Sequence, residues 1–192
     1  MKFGFIEYKL AMDNAENAPA KIQDDTECCG TAQARNKVLP LVASCGFDDA
    51  ELALLDGIRH ICCGYSVEDY DGGRAAWERL CLTWCPADSA RVLTAIRAFL
   101  SALRKSRLDS FEFIGPFCPH CSRRICKSEI EMMLLLREAR SNVPARTLMA
   151  AQYLVGKGDP KAVVVAAVDL ATMVAGAHRV SSELLPKLSA VH

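Results

Sequence analysis

The stretch Asp88-Ser-Ala-Arg-Val-Leu-Thr-Ala-Ile-Arg-Ala-Phe-Leu-Ser-Ala-Leu-Arg-Lys105 decides the fold class. At about 100° per residue, Val92, Leu93, Ile96, Phe99, Leu100 and Leu103 fall within roughly a third of the circumference. Arg91, Arg97, Arg104 and Lys105 lie off that stripe. Asp88 stands where a carboxylate can cap the first turn, and Pro86 closes whatever precedes it, because the residue before a proline disfavours the helical region. An apolar stripe of this width has to be covered, so further helices must pack on it.

The neighbouring sequence supplies them. Upstream, Gly72–Gly73 reads as a break, and Arg74–Cys85 resumes helically with Trp77, Leu80, Cys81 and Trp84 on one side. Asp48 followed by Glu51 has capping-box spacing and opens a periodic run with Leu52, Leu55, Ile58 and Cys62, expected to end at Gly64. A further helix is expected over Thr31–Cys45, with Pro40 inside it and Gly46 ending it. Downstream, Ser128 with Glu131 makes a capping box for a helix over Glu129–Ser141. Pro144 suits the first turn of the next helix, which Gly156 or Gly158 ends. Asp159–Pro160 starts another that runs to Gly176, and Ser181 or Ser182 a short last one. Phe111–Ile114 is aromatic and β-branched, and reads as a short strand before Gly115–Pro116. The expected fold is mainly α: a single-domain bundle of about six to seven helices over residues 28–192. It carries a small β-hairpin or zinc knuckle around residues 111–125, and a flexible arm covers residues 1–27.

Composition agrees with helices. Of 192 residues 51% are hydrophobic and only 7% aromatic, while Ala (27) and Leu (21) make up a quarter. At this size folding removes on the order of 70% of the unfolded chain's surface, ample for a core. Lys plus Arg and Asp plus Glu are both 23, so the net charge is zero. That excludes a protein held mainly by nucleic-acid phosphates, and the apolar fraction excludes a disordered chain. The charge is nonetheless uneven. Phe47–Asp71 holds seven acids against Arg59 and reads as a solvated acidic belt. Ser89–Lys127 holds eight basic residues against Asp109 and Glu112, a net +6. The basic face of Arg91, Arg97, Arg104 and Lys105 suits a phosphate backbone of nucleic acid, an acidic protein partner, or the acidic belt of a second copy in self-association. Ala162–Ala177 is interrupted by Asp169 and shorter than the roughly 20 residues of a membrane helix. It reads as a buried helix, so no membrane partner is expected. Met1–Ala20 carries Lys2, Glu7, Lys9, Asp13 and Glu16 and lacks a signal-peptide pattern, which points to the cytoplasm.

Ten cysteines are the unusual feature. Phe117-Cys118-Pro119-His120-Cys121 has the spacing that turns two sulfurs to one centre, as a zinc knuckle requires. Zinc takes four ligands. Cys126 is near, and Cys81 and Cys85, four apart, would share one face of a helix. Arg123, Arg124 and Lys127 flank the pair and would stabilise the negative charge of bound thiolates. Unligated thiols packed inside the protein are the alternative, since cysteine is among the most buried residue types. The expected function is a regulatory or adaptor role built on Zn²⁺ at Cys118, Cys121, Cys126, Cys81 and Cys85, and not an enzymatic one. No nucleophile constellation or phosphate loop occurs, and His60, His178 and His192 have no companion at ligand spacing.

Two resemblances give alternatives. Cys118-Pro119-His120-Cys121 resembles the active-site tetrapeptide of the thioredoxin-fold disulfide oxidases of the bacterial periplasm, with Phe111-Glu112-Phe113 like the strand that delivers it. That resemblance implies a thiol–disulfide oxidoreductase in which the Cys118 thiolate attacks and Cys121 resolves. Cys28-Cys29-Gly30 and Cys62-Cys63-Gly64, followed by Cys118 and Cys121, are similar to the iron–sulfur motif of the heterodisulfide-reductase CCG domains. That similarity implies an iron–sulfur cluster on Cys62, Cys63, Cys118 and Cys121, with Cys28 or Cys29 as the upstream ligand.

Overall fold

Asp48 opens the first helix as its spacing predicts. In the computed structural model, which describes residues 39–179, its carboxylate accepts the N–H of Glu51 at 2.8 Å. The Glu51 carboxylate accepts the N–H of Asp48 at 2.9 Å in return. The arm expected over residues 1–27, the first part of the helix expected from Thr31, and the short C-terminal helix all lie outside the described residues. Of the Thr31–Cys45 helix, the described part is a single 3₁₀ turn, Val42–Cys45, ended by Gly46 at φ +60°.

Helix α1 (Asp49–Ser66) runs past Gly64, which was expected to end it. Gly64 is used for packing instead. A Cβ on Gly72 would stand 2.2 Å from the His60 carbonyl oxygen and 2.9 Å from the Gly64 Cα. Two residues without side chains thus let α2 (Gly72–Leu80) close onto α1. Gly72–Gly73 begins this helix rather than breaking the chain, because the Asp71 carboxylate caps it through the Arg74 N–H. Helix α2 stops at Leu80, well short of Cys85. Trp84 leaves the helical path to bridge Arg179 and is buried.

The apolar stripe is the buried face of α3 (Pro86–Ser106): Val92, Ile96, Phe99, Leu100 and Leu103 are all buried. Helices α4 (Lys127–Arg140), α5 (Pro144–Val155) and α6 (Lys161–Gly176) complete the six, with no strand among the described residues. The molecule is mainly α, a bundle of about six helices as expected. Helix α3 lies against α2 and α6, α4 packs on α5 and α6, and α1 touches α3 and α4. Buried side chains from all six join one core, with Phe99, Ile96, Leu54, Ile58, Met132 and Leu136 fully enclosed.

Helix α4 starts two residues before the expected Glu129, and its cap is Cys126 with Glu129 rather than Ser128 with Glu131. The hairpin expected around residues 111–125 does not form. Residues 111–115 form no regular element, and their polar groups are taken locally: the Ile114 N–H donates to Glu129 Oε1 at 3.1 Å, and the Glu112 carbonyl accepts the Cys126 thiol at 3.3 Å. The return segment pairs elsewhere. Arg124 bridges Leu41, and the Ile125 N–H donates to the Pro40 carbonyl at 3.0 Å.

Candidate functional site

Arg59 lies on the buried side of α1, one position from Ile58 and four from Leu55, and is itself only 4% exposed. A charge in that place needs a partner. Glu129, fully buried in the first turn of α4, supplies it: Arg59 Nε to Oε1 is 2.7 Å and Nη2 to Oε2 is 3.0 Å. The remaining guanidinium donors go to the carbonyls of Ser122 at 2.7 Å and Arg124 at 2.6 Å. The remaining carboxylate capacity takes the N–H groups of Ile114 and Cys126. Every contact beyond the pair itself lands on the segment from Ile114 to Cys126, so this one ion pair ties the cysteine loop to two helices.

Within that loop the chain turns tightly. The Ser122 N–H donates to the Cys118 carbonyl at 2.9 Å, and a 3₁₀ turn covers Cys121–Arg123. The Cys121 N–H points at Cys118 Sγ, 3.5 Å away. Both cysteines are half-buried. Phe117 stands edge-on to Tyr70, with ring centroids 4.9 Å apart, and also meets His60 at 6.4 Å. His60 and Tyr70 are hydrogen-bonded through Nδ1 and Oη. Burial pushes His60 below its ordinary value and Tyr70 above its own, so this small aromatic group is uncharged at neutral pH.

The other expected ligands lie elsewhere. Cys126 is buried, its thiol donates to the Glu112 carbonyl, and burial pushes it up to about 12, with the neighbouring Glu129 charge adding to the effect. Cys81 and Cys85 do not share a helix face, because α2 ends between them and the preceding Leu80: Cys81 caps the end of α2 and Cys85 the start of α3. The Cys85 thiol donates to Asp88 Oδ2 at 3.3 Å, an oxygen that also accepts the His178 N–H at 2.9 Å. Those His178 contacts, with the Cys85 thiol, hold the Asp88 carboxyl well below the usual carboxylate range. Among the described residues no three His, Cys, Asp or Glu side chains gather so as to hold a metal ion. The five cysteines therefore do not form one set, and Cys62 and Cys63 do not complete a cluster with Cys118 and Cys121. Cys28 and Cys29 lie outside the described residues.

Part of each charged face makes contacts within the protein, while Arg104 and Lys105 stay exposed. Arg91 pairs with Asp88 at 3.2 Å, and the Arg97 guanidinium lies where a Cβ on Gly73 would come within 2.0 Å of it. In the acidic belt, Glu51 is buried and accepts from Arg137 at 2.7 and 2.8 Å, Asp48 pairs with Arg140, and Asp56 with Arg79. Glu51 alone is drawn into an internal seam; Asp48, Asp49, Glu68, Asp69 and Asp71 are exposed and Asp56 half-buried, so most of the belt is the solvated face expected from composition. The ion pair of Arg59 with Glu129 escaped sequence reading, although a lone arginine on the apolar side of a helix was its visible sign. No family model, no curated protein and no solved structure matches this chain.

Proposed function

We propose that the protein is a small metal-binding adaptor of the cytoplasm in which Cys118 and Cys121 hold Zn²⁺. The observation that supports this reading is the Cys121 N–H aimed at Cys118 Sγ, within a turn fastened by Arg59 and Glu129. A fixed donor to sulfur is what a metal-bound thiolate uses, and groups that orient ligands are part of a metal site. Arg123 and Lys127 stand beside the pair in sequence and would balance its charge. Two thiolates fill two of zinc's four positions. The chain before residue 39 carries Cys28 and Cys29, and it enters the described structure at Leu39 and Leu41, both in contact with Arg124. With Cys28 and Cys29 as the other two ligands the shell would be thiolate-only and leave no open position for a reacting water, hence an adaptor role. Metal analysis of the full chain without a histidine tag tests the proposal. About one zinc per chain is expected, lost in Cys118→Ser with the helical circular dichroism intact. Folded protein holding under about 0.2 equivalents overturns it.

A second reading rests on the same tight turn, which sets the Cys121 N–H 3.5 Å from Cys118 Sγ. Two thiols suffice for disulfide exchange. The Cys118 thiolate would attack a substrate disulfide and release one substrate thiolate. Cys121 would then attack the mixed disulfide, releasing the second substrate thiol and leaving Cys118 and Cys121 oxidised. Turnover of insulin disulfides by zinc-free protein with dithiothreitol supplied to re-reduce Cys118 and Cys121, abolished in Cys118→Ser, would favour it over the metal.

A further inference from the structure

A cleft of about 320 Å³ opens between the C-terminal ends of α1 and α3 and the segment that follows α3. Its floor is apolar: Leu100, Leu103 and Phe113, with the thiol of Cys62. That thiol is uncharged across the physiological range, since burial first and the Glu129 charge second push it up to about 12. Phe111 forms one wall, with the Arg107 guanidinium 5.8 Å from its ring centroid. Arg107 is held in place by donating to the Leu154 carbonyl at 2.9 Å, yet its buried Nε has no hydrogen-bond partner among the described residues. Arg104 stands on the rim and pairs with no acid among the described residues. Asp109 is the one acid at the rim, so the charged lining is two arginines against one carboxylate.

We infer that this cleft binds a small molecule with a flat apolar body and a single carboxylate. A guanidinium offers planar paired donors that match a carboxylate; Arg104 presents one at the exposed rim, and Arg107, fixed by the Leu154 carbonyl, adds positive charge beside it although its enclosed Nε is out of a ligand's reach. Arg107 also lies in the field of the Glu131 carboxylate, so Arg104 is the guanidinium left for a ligand, and its single charge fits a monoanion. A phosphate dianion would meet Asp109 and find only Arg104 fully available. The volume sits at the small end of ligand cavities, which limits the body to roughly a dozen non-hydrogen atoms. Aromatic walls and a leucine floor favour a ring over a chain with several hydroxyls. The site is separate from the cysteine turn, and its occupation needs neither metal nor a disulfide.

The test uses the full chain, with trans-cinnamate as probe, cinnamyl alcohol as its neutral counterpart, and inorganic phosphate as a bare anion. Calorimetric titration, followed by backbone amide shifts in NMR, should show cinnamate binding at least tenfold tighter than the alcohol, with no phosphate binding. Shifts should centre on Tyr65, Ser66, Ser110 and Phe111. Arg104→Ala removes an exposed side chain and should weaken cinnamate about tenfold without changing the melting temperature. Ser110→Trp, which fills the mouth from an exposed position, should abolish binding in a folded protein. Equal binding of acid and alcohol, no cinnamate binding at all, or shifts centred elsewhere would each overturn the inference.

Discussion

Arg59 and Glu129 carry a cost that exposed ion pairs do not. Arg74 and Glu78 are paired at 3.0 Å on the surface of α2, where solvent screens both partners and a pair contributes at most about 0.5 kcal/mol. Arg59 and Glu129 are both enclosed, and removing one leaves the other charged, buried and without its partner. Arg59→Ala is therefore expected to lower stability by about 3–5 kcal/mol in urea denaturation. A double replacement, Arg59→Leu with Glu129→Leu, should recover much of that loss, because an apolar pair needs no charge compensation. It should also release the Ser122 and Arg124 carbonyls, so that the cysteine turn loosens while the bundle holds. A double variant no more stable than the single one would show that the pair's value lies in something other than charge burial.

At the level of helices, the α1–α2 junction depends on absent side chains. A Cβ on Gly72 would be 2.2 Å from the His60 carbonyl, closer than any relaxation of a rotamer can relieve, since the obstacle is backbone. Gly72→Ala is expected to push α2 off α1 and cost about 1–3 kcal/mol, read as a lower melting temperature. The comparable exchange at Gly115, where a Cβ meets nothing within 4 Å, should leave melting nearly unchanged. The same junction shows what local sequence can and cannot convey. Asp48 with Glu51, and the stripe from Val92 to Leu103, are legible because cap and period are set within a few residues. Gly64 and Gly72 read as stops because glycine usually ends helices, and nothing local says that each faces the other across an interface. The start of α4 is hidden from local sequence for a similar reason. Glu129 is drawn into its cap by an arginine 70 residues away, and cysteine is not a residue that advertises a cap.

For the molecule as a whole, the enclosed thiols set a limit on the alkaline side. Cys62 and Cys126 are held near about 12, against 9.0 for the ordinary thiol. Below pH 9 both the folded and the unfolded chain keep these protons, and the full stability is present. From there towards pH 12 only the unfolded chain releases them, so stability falls as pH rises, faster than in a Cys62→Ala, Cys126→Ala variant. Urea midpoints measured at pH 8, 9.5 and 10.5 check the sign, and equal slopes for the two proteins would refute it. At this scale the sequence made the helical class and the cysteine pair plain, whereas the partition of charge was hidden. Glu51 and Asp48 read as part of a solvated acidic belt, and they meet Arg137 and Arg140 only because α1 and α4 pack side by side. The distance in sequence between Arg59 and Glu129 also has a consequence in time. A ribosome adding about 5–20 residues per second needs roughly 4–14 s to pass from one to the other. During that interval helices α1 to α3 are made while Arg59 still lacks its acid. Cys118 and Cys121 are synthesised before Glu129 as well, so the nascent thiols precede the residue that fixes their geometry.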